Sequence, residues 1–180
     1  MANPSAAAGV ERRLLENFLV SREPDRARAR ALLAEIEPLL QRPELEREEK
    51  LCLVARWLEQ SAYQYLHPVS GTPPDLAAAQ ALYERIPGDD VPPFVACKRE
   101  SGLAYVHFRL GDRARAARHV EAACRHAGDG GFVRLRISSL DLLAHILGEE
   151  GGREARERAM AAARRLEDEG PLGRVRQALS

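Results

Sequence analysis

Aromatic and β-branched residues are scarce in this chain of 180 residues, and Phe, Trp and Tyr together make up 5% of it. Strands depend on these side chains to pack on a pleated surface, so their scarcity argues against a β-sheet protein. The commonest residues, chiefly Ala, Leu, Arg and Glu, are strong helix formers. The length suits one well-buried domain, and the composition therefore predicts an all-α protein.

The chain also lacks an excess of charge, because 27 Lys and Arg residues balance 27 Asp and Glu residues. Nucleic acids and anionic membranes attract proteins through surplus positive charge, so we expect no nucleic-acid partner. No run of about 18 apolar residues occurs, and the opening stretch MANPSAAAGVERR has no apolar segment after a basic one. The sequence predicts a cytoplasmic protein without membrane insertion.

Residues suited to catalysis or metal binding are few and scattered. The three cysteines, Cys52, Cys97 and Cys124, are widely spaced and odd in number, which argues against a disulfide framework. His119 and His126 lie two helical turns apart, too far for a compact metal site. No Ser or Cys matches a His and an Asp in a catalytic arrangement, and the Gly-rich stretches follow no strand. We expect no metal, no cofactor and no enzymatic activity.

What the sequence does have is a series of amphipathic segments separated by Gly and Pro. After a flexible N-terminus at residues 1–9, they pair into four helical hairpins, with a capping segment that completes one domain over residues 10–180. The longest interruption, HPVSGTPP at residues 67–74, is predicted to be a loop inserted in the second hairpin. The predicted helical segments are 10–21, 24–40, 44–66, 75–86, 94–110, 113–127, 132–147, 153–169 and 172–180.

The second helix of each hairpin repeats one apolar pattern, so that GDRARAARHVEAA echoes the earlier PDRARARALLAEI. A small residue is followed by apolar residues four and seven positions later, and we infer that it allows two helices to approach closely. Apart from the interval that contains the inserted loop, the recurrence is close to the roughly 34-residue period of one repeat family. An irregular bundle with a chance repetition is the alternative. The four triples are Ala29, Leu33, Ile36; Ala79, Tyr83, Ile86; Ala116, Val120, Ala123; and Ala155, Ala159, Ala162.

At these positions the chain resembles the tetratricopeptide repeat (TPR) family over residues 10–170. The third hairpin, GLAYVHFRLGDRARAARHVEAA, carries the resemblance through Leu103, Ala104, Gly111, Asp112, Ala116, Val120 and Ala123. The fourth matches through Leu143, Ala144, Leu147 and Gly151, the second through Leu58, Ala62, Tyr65, Ala79 and Tyr83, and the first through Pro24, Asp25, Ala29 and Leu33. The resemblance implies a right-handed α-solenoid of about four TPR-like hairpins plus a C-terminal capping helix.

In such a solenoid the first helix of each hairpin lines a concave groove. Rings at equivalent places of successive helices, Phe18, Tyr63, Tyr105 and His145, form a ladder suited to a peptide segment. In another phase, Gly102 packs at the helix crossing and Tyr105 enters the core. Phasing each first helix by its turn predicts a groove of Leu14, Phe18, Arg56, Glu59, Tyr63, Lys98, Ser101, Tyr105, Arg109, Ser138, Asp141 and His145.

The function that this arrangement implies is a non-catalytic interaction module, an adaptor or small chaperone that binds a peptide segment of a protein partner. Small bacterial chaperones built from three such repeats are similar in length. The groove lacks the paired Lys and Asn residues with which some family members clamp a terminal carboxylate, since Lys98 stands alone. Two alternatives remain: a regulatory or sensory domain that binds a signal peptide or small ligand, and a self-assembling scaffold that forms a homo-oligomer.

Overall fold

The computed structural model describes residues 6–22, 26–69 and 71–169, and within these ranges the chain forms eight helices and no strand. The prediction of an all-helical protein is confirmed. No described helix is long and apolar enough to cross a membrane. The predicted turn residues Pro24 and Asp25 and the predicted capping segment 172–180 lie outside the described residues. The helices are α1 (Ala6–Val20), α2 (Ala27–Leu39), α3 (Arg47–Leu66), α4 (Leu76–Glu84), α5 (Pro93–Arg109), α6 (Arg113–Asp129), α7 (Val133–Gly151) and α8 (Arg153–Glu169).

Most helix boundaries lie within three residues of the predicted positions, and α1 and α7 depart furthest from them. The first helix begins at Ala6 rather than Val10, because the alanine run before Gly9 has high helix propensity, and Ala7 is buried. Residues 6–9 therefore belong to α1 and not to a flexible N-terminus. In the seventh helix the helical backbone is interrupted directly after the predicted end at residue 147, because Gly148 has a φ of 79° and a ψ of −165°, and a further short helical stretch follows this kink. Glycine adopts this backbone conformation without the steric penalty of a Cβ atom.

The helices pack mainly against their neighbours in the sequence. In addition, α1 contacts α3, α3 contacts α5, and α5 contacts α7, whereas the even-numbered helices make no such contacts with one another in the described ranges. This contact pattern is consistent with helical hairpins that stack side by side.

The predicted small-residue crossings account for much of the packing between helices. Every member of the first three triples is buried, so small side chains do lie where the second helix of each hairpin meets its neighbours. The fourth triple differs, because Ala155 is buried while Ala159 and Ala162 are only partly so. No described helix packs beyond α8 to cover them.

A chain of hydrogen bonds joins the first three helices inside the protein. Gln64 Nε2 on α3 donates to Ser21 Oγ over 3.1 Å, and Ser21 Oγ donates to Asn17 Oδ1 on α1, also over 3.1 Å. Asn17 Nδ2 in turn donates to the carbonyl oxygen of Ala29 on α2. Asn17 and Ser21 are buried, and these bonds offset the cost of removing their polar atoms from water.

Candidate functional site

A cavity of about 540 Å³ opens between α1, α3 and α5. Half of the twelve residues that the sequence predicts for the groove line it. These residues are Phe18, Arg56, Glu59, Tyr63, Lys98 and Tyr105. Its other lining residues were not predicted: Leu15, Ser21, Arg22, Gln60, Leu66, His67 and Tyr83.

The remaining predicted groove residues lie in three different places. Ser101 and Ser138 line a smaller cavity of about 250 Å³, which shares Glu59 and Lys98 with the large cavity. Arg109 is exposed, and its Nη1 donates a hydrogen bond to the Tyr105 hydroxyl over 3.1 Å. Asp141 and His145 are exposed on α7 and line neither of these two cavities.

The prediction for Leu14 is wrong, because this residue is completely buried in the main core. Val10, Leu14 and Asn17, spaced by four and three residues, form the buried stripe of α1. The cavity instead receives Leu15, which is 56% exposed, and Phe18, which is 45% exposed. The turn from which the groove face of this helix was predicted falls on residues outside the described ranges. In addition, the run of apolar residues along α1 is compatible with more than one buried face.

Three rings form a continuous row along one wall of the cavity. The Tyr63 and His67 ring centroids are 4.4 Å apart, and those of His67 and Tyr105 are 6.2 Å apart. His67 therefore bridges the α3 ring and the α5 ring, in a ladder for which the sequence had suggested His145. The signal for His67 was present, since it follows Tyr63 by four residues and so lies on the same helical face. It was missed because it was assigned to the inserted loop.

The structure of α5 has one feature of each of the two alternative rotations of this helix. Gly102 is buried, and a Cβ atom added there would overlap the Tyr83 ring, so this glycine does lie at a helix crossing. Tyr105 is nevertheless only partly buried and lines the cavity. Both positions are compatible with the tight turn that follows, in which Gly111 has a φ of 83°.

An ion pair crosses the cavity from α3 to α5. Lys98 Nζ lies 2.8 Å from Glu59 Oε1, and Glu59 is the one carboxylate that lines the large cavity. On the α1 side, Arg56 Nη1 lies 3.3 Å from Glu11 Oε1. These two cations are therefore already balanced within the protein.

Three further arginines lie over the rings of the cavity. The guanidinium carbon is 4.5 Å from the ring centroid for Arg22 on Phe18. The corresponding distances are 5.5 Å for Arg26 on Tyr63 and 5.8 Å for Arg109 on Tyr105. Such contacts are favourable cation–π interactions. None of the three arginines pairs with a carboxylate in the ranges that the structure describes.

Two titratable side chains of the cavity remain neutral at pH 7. Burial lowers the pKa of His67 below its usual value, and the positive charges of Arg109 and Arg26 lower it further. Burial also raises the pKa of Tyr83, which is 6% exposed, and the nearby Glu59 and Tyr105 add to this rise. The rings therefore present apolar faces and neutral polar edges rather than fixed charges.

The described residues do not bring together the groups that a metal centre needs. No set of three or more His, Cys, Asp or Glu side chains within them could hold a metal ion. His119 instead contacts Glu100, with Nδ1 2.7 Å from Oε2. Cys52, Cys97 and Cys124 are free, and burial raises the pKa of each thiol.

Fold and site together define an all-helical protein with a ring-lined cavity, beside which three arginines have no carboxylate partner among the described residues. Comparison with protein-family models, with curated proteins and with solved structures finds no match for this chain. The argument for function therefore depends on the geometry of the cavity.

Proposed function

We propose that this protein is a non-catalytic interaction module that binds a peptide segment of a partner protein in the cavity between α1, α3 and α5. The observation that carries the proposal is the convergence of Phe18, Tyr63, Tyr105 and Lys98 on one open cavity. Aromatic rings supply large contact areas with little loss of side-chain entropy. Polar groups beside the rings can bond to the backbone of a peptide.

The proposal includes a right-handed solenoid of TPR-like hairpins, of the adaptor or small-chaperone kind. The contacts of α1 with α3, α3 with α5 and α5 with α7 support it, as do the buried small residues Ala29, Ala79 and Ala116. In a stack of this kind the first helices form one continuous surface. The cavity lies on that surface.

An extended ligand suits the site because the two cavities are neighbours. Glu59 and Lys98 line both of them, and the smaller cavity continues from α5 towards Ser138 and Leu142 on α7. A peptide could thus occupy the large cavity with one side chain while its backbone continues over the ion pair. Contacts along several successive helices are what distinguish a peptide site from a compact ligand pocket.

Substitution of single tyrosines tests this proposal. We expect Tyr63→Ala and Tyr105→Ala to retain the melting temperature within a few degrees but to weaken peptide binding about 30-fold each, since a ring anchor contributes about 2 kcal/mol. The probes are peptides selected against the wild-type protein from a random library displayed on phage, with affinity measured by fluorescence anisotropy. Tyr65→Ala is the matched control, because Tyr65 lies two residues away and does not line the large cavity.

Two results would contradict the proposal. Loss of the fold in both variants would show that the two tyrosines are structural. Equal loss of binding in Tyr65→Ala would show that the peptide binds elsewhere.

The volume of the large cavity favours a second candidate, a regulatory domain that binds a small ligand. About 540 Å³ is within the range of roughly 300–1,000 Å³ that is typical of small-molecule sites. A thermal-shift screen with a metabolite mixture distinguishes the two, because a small ligand that binds the folded state raises the melting temperature. No shift with any metabolite, together with selection of binding peptides, would favour the peptide module.

A further inference from the structure

Among the described residues, the cations around the large cavity outnumber the carboxylates. The whole chain has a net charge of zero, yet Arg22, Arg56 and Lys98 line the cavity against Glu59 alone. Arg26 and Arg109 stand over its tyrosine rings. After the pairs Lys98–Glu59 and Arg56–Glu11 are discounted, three arginines remain without a carboxylate partner among the described residues. Of these, Arg22 lines the large cavity and Arg26 lines a neighbouring one.

These three arginines lie near the C-terminal ends of the helices that form the cavity. Arg22 follows α1, and Arg109 is the last residue of α5. Arg26 precedes α2 and lies over Tyr63, in the last turn of α3. A helix C-terminus carries about half a negative charge that acts only near its last turn, so among the described residues the three guanidinium charges outweigh it at this edge. We call Arg22, Arg26 and Arg109 the arginine edge.

The arginine edge is arranged to receive carboxylates. A guanidinium that stacks on a ring uses its face, and its N–H groups lie in its own plane, where they can form paired hydrogen bonds with a carboxylate. Arg109 uses one donor on the Tyr105 hydroxyl. Arg26 Nη1 is buried and has no hydrogen-bond partner in the described part of the chain, although an unsatisfied buried donor carries an energetic cost.

The lowered pKa of His67 is consistent with a positive potential at the same edge, because Arg109 and Arg26 are among its causes. An apolar side chain suits the cavity itself, because Leu15, Phe18 and Leu66 line it together with the tyrosine rings. The two requirements, carboxylates for the edge and an apolar side chain for the cavity, describe one ligand.

From this geometry we infer that the peptide is acidic, with an aromatic or aliphatic side chain that enters the cavity and flanking Asp or Glu residues that pair with the arginine edge. This inference rests on the proposed function and narrows it to a class of partner. It assigns binding roles to Arg22 and Arg26, which the sequence pattern had not indicated, and a direct carboxylate contact to Arg109.

The test uses the peptides selected from the random phage library. We expect the selected sequences to be enriched in Asp and Glu around an apolar residue. Replacement of each Asp by Asn and each Glu by Gln in the tightest binder should weaken binding at least tenfold, and added salt should weaken the acidic peptide more than its amide counterpart.

Protein variants identify the residues that bind the carboxylates of the peptide. Arg22→Gln and Arg109→Gln should each weaken the acidic peptide about tenfold and leave the amide counterpart almost unaffected. Arg125→Gln is the matched control, since Arg125 is exposed on α6 and lines none of the cavities described above. It removes the same charge from the molecule without touching the edge.

The possible failures are distinguishable. Neutral or basic selected peptides, or equal affinity in Arg22→Gln, Arg109→Gln and wild type, would overturn the acidic class and leave the peptide site in place. If no peptide is selected, or if Tyr63→Ala binds every selected peptide as well as wild type does, the proposed function itself fails.

Discussion

The two ends of this protein are packed with side chains of different size. Around α1 to α5, the core contains large residues such as Leu14, Trp57 and Ile86, whereas the core that joins α6, α7 and α8 consists mostly of alanine with Val120 and a few larger side chains. Large side chains hold helices apart, and alanines let them approach closely. At Gly152, between α7 and α8, an added Cβ would overlap a backbone carbonyl.

This difference in packing explains where the large cavity lies. Rings of α3, α4 and α5 line this cavity, whereas alanines lie at the crossings of α6 with α7 and α8. Phe132 is the one aromatic residue that follows Leu110 in the sequence. The contrast teaches that neighbouring helices leave a cavity where their side chains are bulky and cross closely where those side chains are small.

The largest loss of stability that we expect comes from truncating a core leucine in the region around α1 to α5. Leu14→Ala should lower the free energy of unfolding by about 2–5 kcal/mol, because it removes buried apolar surface and leaves a cavity. Leu15→Ala should change it by less than about 1 kcal/mol, since Leu15 is exposed. Urea denaturation of both variants measures the difference. Equal effects would mean that α1 is phased incorrectly and that the contrast between the two ends is weaker than described.

The opposite change, from a small to a large residue, tests the alanine-rich core that joins α5 to α6, α7 and α8. Ala116 is fully buried at the α5–α6 crossing, and Ala116→Leu should cost about 1–3 kcal/mol because the helices cannot separate without losing other contacts. Arg115→Leu alters the neighbouring exposed position and serves as control. If thermal denaturation shows that both variants melt alike, the small residue is not needed at this crossing.

A smaller gain in stability should follow from a glycine that packing does not require. Gly128 lies in the last turn of α6, and a Cβ atom there would meet nothing within 4 Å. Gly128→Ala should stabilise the protein by about 0.4–1 kcal/mol, because alanine restricts the unfolded chain. Gly111→Ala should destabilise it, since Gly111 has a positive φ. Chemical denaturation that gave the same sign for both would contradict the assigned backbone conformations.

The smallest expected effect is a pH dependence of the folding stability, which arises from the histidines where α5 meets α6. His107 is 7% exposed and stacks on His119 with centroids 5.2 Å apart. Burial lowers its pKa, the charges of His119 and Arg115 lower it further, and Asp112 and Glu84 oppose the shift in part. The unfolded chain therefore binds a proton more readily, so stability is complete above about pH 6.5 and falls as the pH drops towards the lowered folded value.

Unfolding free energies measured between about pH 7.5 and pH 5 give the slope that tests this prediction. His107→Gln should make the slope shallower but not abolish it, because the pKa of His67 is also lowered and acts in the same direction. An unchanged slope in His107→Gln would show that the α5–α6 histidine pair is not the source of the pH dependence.

Much of the fold could be predicted from local pattern alone. Glycine and proline mark most helix ends, and the spacing of residues such as Ala79, Tyr83 and Ile86 identifies buried faces, because both depend only on the chain within one or two helical turns. The position of Leu14 could not be obtained in this way. It depends on which of several apolar faces of α1 meets α3, and that choice is made by tertiary packing.

The site was predictable to a similar extent and for a similar reason. Tyr63 and Tyr105 share a periodic position on successive helices, so sequence comparison within the chain places them together. Of the arginine edge only Arg109 was predicted, because Arg22 and Arg26 flank the connection between α1 and α2 and approach the rings only through the fold. Arg26 comes from the start of α2, and no local rule brings it to a tyrosine on α3.

The hydrogen-bond chain from Gln64 through Ser21 and Asn17 to Ala29 has a consequence for the speed of binding. Ser21 lines the large cavity, so hydrogen bonds already hold this part of the cavity wall to α2 and α3 in the absence of a ligand. Little interaction energy is then spent on moving helices. We expect ligands to associate at rates set by encounter and orientation, with their residence times accounting for most of the differences in affinity.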